Sequence, residues 1–193
     1  PLGYEKDNRV LVTLRDPALV AQLPVLQQRL EQQPGVSGVT HASSMMGQEV
    51  SVNSSGIETN EGSRTSVQLG HMAVATNFID VMGMRLAQGR NFSEEVATDA
   101  TSALLVNQAL VDYMQWDEPI GKAIPANWGA EGVVIRVVEN FNFRSLHTAV
   151  EPFFLYQSAF SNRLGPEREL VVSIDAEGMA ETLGDIEDTL KSF

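Results

Sequence analysis

The residue types best equipped for chemistry gather in one stretch, VVENFNFRSLHTAVEPFFLY, running from Val137 to Tyr156. A carboxylate (Glu139), a hydroxyl (Ser145) and an imidazole (His147) are the parts from which acid–base and nucleophilic catalysis are built. Their setting points elsewhere. Glu139, Asn140 and Asn142 are types that bond neighbouring backbone and permit turns, while Phe141, Phe143 and Leu146 alternate with them as apolar anchors. Pro152 then precedes a second apolar run, Phe153 to Tyr156. On physical grounds the stretch reads as a corner between two strands whose polar side chains satisfy loose main-chain groups.

The remaining candidates for chemistry are weaker. His41, His71 and His147 are isolated, with no His-Glu-x-x-His or His-x-His pattern and no cysteine in the chain, so nothing signals a metal site. No Gly-x-Ser-x-Gly elbow anchors a serine hydrolase. Gly121-Lys122 fails as a phosphate loop, because Trp116 stands where the first glycine is needed and Ala123 where a hydroxyl must hold magnesium. Glu94-Glu95 and Asp117-Glu118 are adjacent carboxylates on exposed turns and do not face each other across a substrate. The expectation is a chain with no catalytic, cofactor-binding or metal-binding residues, and not an enzyme.

The composition sets the frame for the elements around these residues. With 193 residues and 43% apolar content, the chain is long enough for a packed core. Its 25 acids against 13 bases give a formal charge of −12, which repels phosphate backbones and argues against a nucleic-acid partner. No run approaches the roughly 18 to 20 apolar residues that cross a bilayer.

Val10 to Leu14 reads as a buried strand, followed by a helix capped by Asp16 and opened by Pro17. Leu19, Leu23, Leu26 and Leu30 fall on one helical stripe, with Pro24 bending the early turns. Pro34-Gly35 ends the helix, and Val36 to Ala42 returns as a strand, giving one β-α-β unit. The pattern recurs at the other end. A shift of 160 positions carries Leu14 onto Ile174, Leu19 onto Met179 and Leu30 onto Leu190, with Met179, Leu183, Ile186 and Leu190 as the second stripe. In that register the second copy ends where its returning strand should begin; either that strand lies beyond Phe193 or the repeat is imperfect.

Between the copies, Gln48 to Arg64 is rich in Ser, Asn, Gly and Glu and reads as exposed hairpins or loop. Val67 to Val74, Ala103 to Val106 and Val133 to Val138 read as strands. Asn77 to Met82 fits a short helix closed by Gly83, and Gly89 to Ser93 a tight turn. Asn107 to Met114 fits a helix with Ala109, Leu110 and Met114 inward. The predicted class is α+β, with a β-rich insertion emerging near residues 44 to 70.

An ordered series of short blocks adds a resemblance. Gly3-Tyr4-Glu5-Lys6-Asp7-Asn8-Arg9-Val10-Leu11-Val12, Pro34-Gly35-Val36, and Asn77 to Met84 running into Gly89-Arg90-Asn91-Phe92-Ser93 open it. Val106 to Leu110, Trp116 with Pro119-Ile120-Gly121-Lys122, Val137 to Phe143, Ser145-Leu146-His147 and Glu151-Pro152 continue it. Together they resemble the periplasmic, MacB-like core domain of FtsX-like ABC transporter permeases. Glu139-Asn140 departs from the Lys-Asp or Arg-Asp more usual there, and the family's closing Phe-Leu-Asp segment is absent.

The resemblance implies a porter-like lobe of two β-α-β units with an inserted β-rich, sabre-like lobe. Residues 1–43 would hold the first β-α-β, 44–101 the insertion with its return, and 102–193 the rest of the insertion and the second, truncated unit. It also implies a place on the periplasmic side of a bacterial inner membrane, between flanking transmembrane helices, in a permease paired with a cytoplasmic ABC ATPase. Such a domain transmits ATP-driven motion to periplasmic cargo or an adaptor protein. The alternative is a periplasmic sensor or regulatory domain controlling a cell-wall hydrolase or a sensor kinase.

Overall fold

The computed structural model describes residues 2–125, 131–144, 149–160 and 167–193. Ser145, Leu146 and His147 lie outside the described residues.

The chain opens with strand β1 (Arg9–Thr13). Asp16 then accepts from the Ala18 amide and Pro17 occupies the first turn of α1 (Pro17–Ala21), a position where a missing N–H costs nothing. The predicted single helix is two: α2 (Leu23–Glu31) restarts after a break at Gln22. Pro24 explains the break, since a proline ring clashes with the carbonyl of the preceding turn and tolerates only the start of a helix. Strand β2 (Val36–Ala42) follows. Near the other end lie β10 (Glu169–Ile174) and α6 (Met179–Lys191).

These terminal strands form a three-stranded sheet in the order β1-β10-β2, with β10 antiparallel to both neighbours. The two strands of the first β-α-β unit are therefore parallel but not adjacent, and the second copy's strand is wedged between them. Alternation along the strands divides their side chains between two faces. Val39, Leu170 and Val172 pack under Leu23, Leu26 and Leu30 of α2 and Ile186 of α6, whereas Val171 and Ala42 turn toward the second sheet's core.

The second apolar stripe is corrected in one place. Leu183 is 40% exposed, while Thr182, Ile186 and Thr189 are the buried positions of α6. Polar fits decide this rotation. The Thr182 hydroxyl sits where any Cβ on Gly35 would collide with it, and Gln33 Nε2 donates to Thr189 Oγ1 at 3.0 Å.

The second sheet draws on β3 (Ser51–Glu58), β4 (Arg64–Ala73), β5 (Leu86–Gly89), β6 (Ala103–Asn107), β7 (Ala123–Pro125), β8 (Glu131–Val138) and β9 (Phe153–Tyr156). Its order is β3-β4-β9-β6-β8-β5, with β7 also paired to β8, and it mixes parallel and antiparallel ladders. The Ser- and Asn-rich stretch read as exposed hairpins or loop is a hairpin: β3 pairs antiparallel with β4 in register from Ser51↔His71 to Glu58↔Arg64. Only Ser55 and Ile57 of β3 are buried, which is why its composition looks like loop. Likewise all four residues of β5 are exposed, so its pattern does not announce a strand.

Both faces of this sheet are covered. On one, Met72, Leu105, Val138, Phe153 and Leu155 meet Phe78 and Ile79 of α3 (Phe78–Val81). On the other, Leu69, Val106, Val137 and Phe154 meet α5 (Gln108–Met114). A strand buried on both faces reads as an unbroken apolar run, as Phe153 to Tyr156 does. Within α5 the inward set is Leu110, Val111 and Met114, with the predicted Ala109 only half-buried. A short helix, α4 (Asp99–Ser102), precedes β6. Its Asp99 is buried and takes a two-pronged contact from Arg90 together with the Ser93 amide. The Arg90 bonds hold the Asp99 carboxyl below its ordinary range, against the opposing effect of burial.

Candidate functional site

The corner from Glu139 to Pro152 is built by local needs of the backbone. Asn140 Oδ1 accepts from the Ala109 amide at 2.7 Å, at the open N-terminus of α5. Glu139 pairs with Arg85 at 3.0 Å, and Arg144 pairs with Glu151 at 3.1 Å while lying over the Phe143 ring. Phe141, Phe143 and Phe153 form a cluster of edge and tilted ring contacts. The described polar residues here hold a corner together, as their types suggest.

Asn107 is the centre of that corner, although the sequence marks it only as a helix start. Its Oδ1 accepts from the Leu110 amide at 3.1 Å and from the Phe153 amide at 2.9 Å, and its Nδ2 donates to the Glu151 carbonyl at 2.8 Å. One fully buried carboxamide thus caps α5 and fixes the entry into β9.

A second constellation escaped the sequence altogether, because its members come from separate segments. His41, Ser158 and Glu167 meet in a cleft of about 490 Å³, lined also by Glu31, Asn77 and Glu94. The Ser158 hydroxyl donates to Glu167, and His41 Nδ1 contacts the same carboxylate. A nucleophilic serine needs its proton directed at a base. Here the hydroxyl and the imidazole both address the carboxylate that stands between them, so the trio joins β2 to the segment that follows β9 and to the residues that lead into β10. Asn77 Nδ2 and Gln27 Nε2 both donate to the Val39 carbonyl beside it, adding to the same bracket.

Two further buried ionisable groups lie elsewhere. His71 on β4 stacks on Phe154 at 5.3 Å, and burial pushes its pKa down to about 4. Arg136 on β8 is 1% exposed, with no hydrogen-bond partner for Nε or Nη1 among the described residues. Burial pushes its pKa down, with Asp80 opposing. His71 and the pair Asp117-Glu118 are not part of the cleft that His41 and Glu94 line, and among the described residues no group of three or more metal-ligating side chains forms.

The feature that unites the two sheets is their junction. The end of β2 crosses to the end of β4 through an Ala42↔Val74 bridge. The Ser43 amide donates to the Ala73 carbonyl and the Ala75 amide to the His41 carbonyl, both at 2.9 Å. Val171 and Ala42 from the small sheet share one buried cluster with Met72, Val74, Phe78 and Phe153 from the large lobe. Arg9 Nε adds a bond to the Val81 carbonyl at 3.0 Å. A junction closed by main-chain bonds and by continuous packing resists bending, since protein interiors have few voids to absorb a shift.

No protein-family model and no curated protein matches the sequence. Solved structures do resemble the fold. The periplasmic region of MacB from Actinobacillus actinomycetemcomitans superposes with a TM-score of 0.64 at 16% identity, over 98% of this chain and 85% of that one. The extracellular domain of the noncanonic ABC-type transporter YknZ from Gram-positive bacteria gives 0.58 at 16% identity, over 91% and 88% of the two chains. A domain of a protein described as a permease, from Porphyromonas gingivalis, gives 0.60 at 16% identity, over 100% and 85%. No described helix is long and apolar enough to cross a membrane. The chain thus has an α+β fold that resembles those of the periplasmic region of MacB and the extracellular domain of YknZ.

Proposed function

We propose that this chain is the extracytoplasmic domain of an ABC transporter permease, and that it carries motion driven by a cytoplasmic ATPase to cargo or partner proteins outside the inner membrane. The observation that carries the reading is the junction: two sheets share one buried cluster and are tied by main-chain hydrogen bonds. A body of this kind moves as a unit, so that a small tilt at the terminal sheet becomes a larger displacement at the far end of the seven-stranded sheet. The role is mechanical and not catalytic.

Cross-linking tests it. Residues 1–193 contain no cysteine, so a cysteine introduced on an exposed strand such as β5 is the single thiol within this stretch. Tying it to a neighbouring subunit of the full-length permease stops transport and leaves ATP binding intact. Undiminished transport by the fully cross-linked protein rejects the mechanical role. Co-purification from membranes separates the two forms of the proposal, since a transported cargo or adaptor indicates a transporter, and a cell-wall hydrolase or sensor kinase indicates a regulator.

A further inference from the structure

At the far end of the large sheet, the turn between β3 and β4 and the C-terminus of α5 enclose a groove of about 630 Å³. Tyr113 stands at its edge, 59% exposed, and also lines an adjoining groove of about 390 Å³ running past Val52 and Pro152. Both volumes fall within the range of small-molecule sites, about 300 to 1,000 Å³. An aromatic ring so exposed gives up the burial that normally repays its size. Around it are Thr59, Asn60, Ser63, Gln115 and Asp117.

This lining is unusual in its chemistry. Apart from Tyr113 and the buried Met114, every described residue lining the larger groove carries a hydroxyl, a carboxamide or a carboxylate, and none of these described residues is a lysine or arginine. Hydroxyls and carboxamides both donate and accept, and a carboxylate can accept from two donors. The set is also held in place. Asn60 Nδ2 donates to the Gln115 carbonyl and to Asp117, and Thr59 and Ser63 bond each other across the turn at 2.9 Å.

A ligand complementary to this surface has an apolar face for the ring and a periphery that donates and accepts at every position. An anion finds no cation among the described residues of the larger groove, and Arg144 in the adjoining one is already paired with Glu151; an apolar peptide leaves the polar rim unpaired. We infer that the Tyr113 groove binds a saccharide, with a pyranose ring stacked on the tyrosine and its hydroxyls bonded to Asn60, Asp117 and their neighbours. The groove lies away from the small sheet, and the inference does not depend on the mechanical role.

The test is a titration of isotope-labelled protein with tri-N-acetylchitotriose and, separately, maltotriose at millimolar concentration, read by amide chemical shifts. The expected result is saturable shifts confined to residues 59–65 and 113–117 with at least one sugar. Tyr113→Ala should weaken binding at least about tenfold, the equivalent of about 1.4 kcal/mol of stacking, and Tyr113→Trp should restore it. Because the side chain is exposed, the substitution leaves folding intact, which unfolding curves verify. The inference is overturned if neither sugar shifts these residues, if Tyr113→Ala binds as well as the parent, or if only the polyamine spermidine shifts them, which would mark the groove as an acidic site for cations.

Discussion

Replacing Asn107 by Ala should lower the free energy of unfolding by about 3 to 4 kcal/mol. Losing the helix cap alone costs about 1 kcal/mol. The Phe153 amide and the Glu151 carbonyl would also lose their partner, and each buried main-chain group left unpaired costs about 1 to 3 kcal/mol. Urea unfolding followed by the circular dichroism of the protein measures the change directly. A loss below about 1 kcal/mol would mean that water replaces the carboxamide without penalty, and that the corner is not fixed through Asn107.

The second prediction concerns pH. In the unfolded chain His71 takes up a proton near its ordinary value of about 6.5, whereas in the folded protein burial lowers that value to about 4. Asn53 Nδ2 lies 2.9 Å from Nε2; an amide N–H can only donate, so the ring must be neutral there to accept. Between the two values the unfolded state binds the extra proton, and stability therefore rises with pH. The contribution, on the order of 3 kcal/mol, is complete above about pH 6.5 and is lost as pH falls to about 4. His71→Phe removes the proton and fills the same aromatic stack beside Phe154 and Tyr156. Denaturation midpoints at pH 7 and pH 4.5 should fall much more steeply for the parent than for this variant, and equal slopes would contradict the assignment.

The parts of the fold legible in the sequence are those where periodicity and burial agree. The stripe Leu23, Leu26, Leu30 and the strands around Val39 and Val172 are buried where the pattern places them. The shift of 160 positions corresponds to an antiparallel β1-β10 pair, with α2 and α6 on one face of that sheet. Strands that the pattern does not settle have a common physical cause: β3 and β5 are edge strands with few buried side chains, so their residues answer to main-chain pairing and not to hydrophobic selection. Leu183 was assigned inward on spacing alone, yet two threonine hydroxyls fit closer against Gly35 and Gln33.

Sites were less legible than elements. The corner around Asn140 could be read because its bonds are made by neighbours in sequence or by the adjoining helix end. The meeting of His41, Ser158 and Glu167, and the grooves around Tyr113, depend on segments far apart in the chain that only tertiary pairing brings together. The likeness to permease domains was carried by several short blocks in fixed order. At 16% identity that likeness is strong in backbone course and thin in sequence, which accounts for a clear structural match without a matching family model.

The most direct measurement is a spin-label distance in the full-length protein in its membrane. Glu58→Cys on β3 and Asp188→Cys on α6 place labels at exposed positions of the two lobes, and a third label goes into the membrane-embedded part. With and without ATP, the pair inside the domain should keep one narrow distance while the distance from either label to the membrane label changes. A within-domain distance that broadens or shifts with nucleotide, or three distances that all stay fixed, would contradict the claim that the two sheets travel as one body.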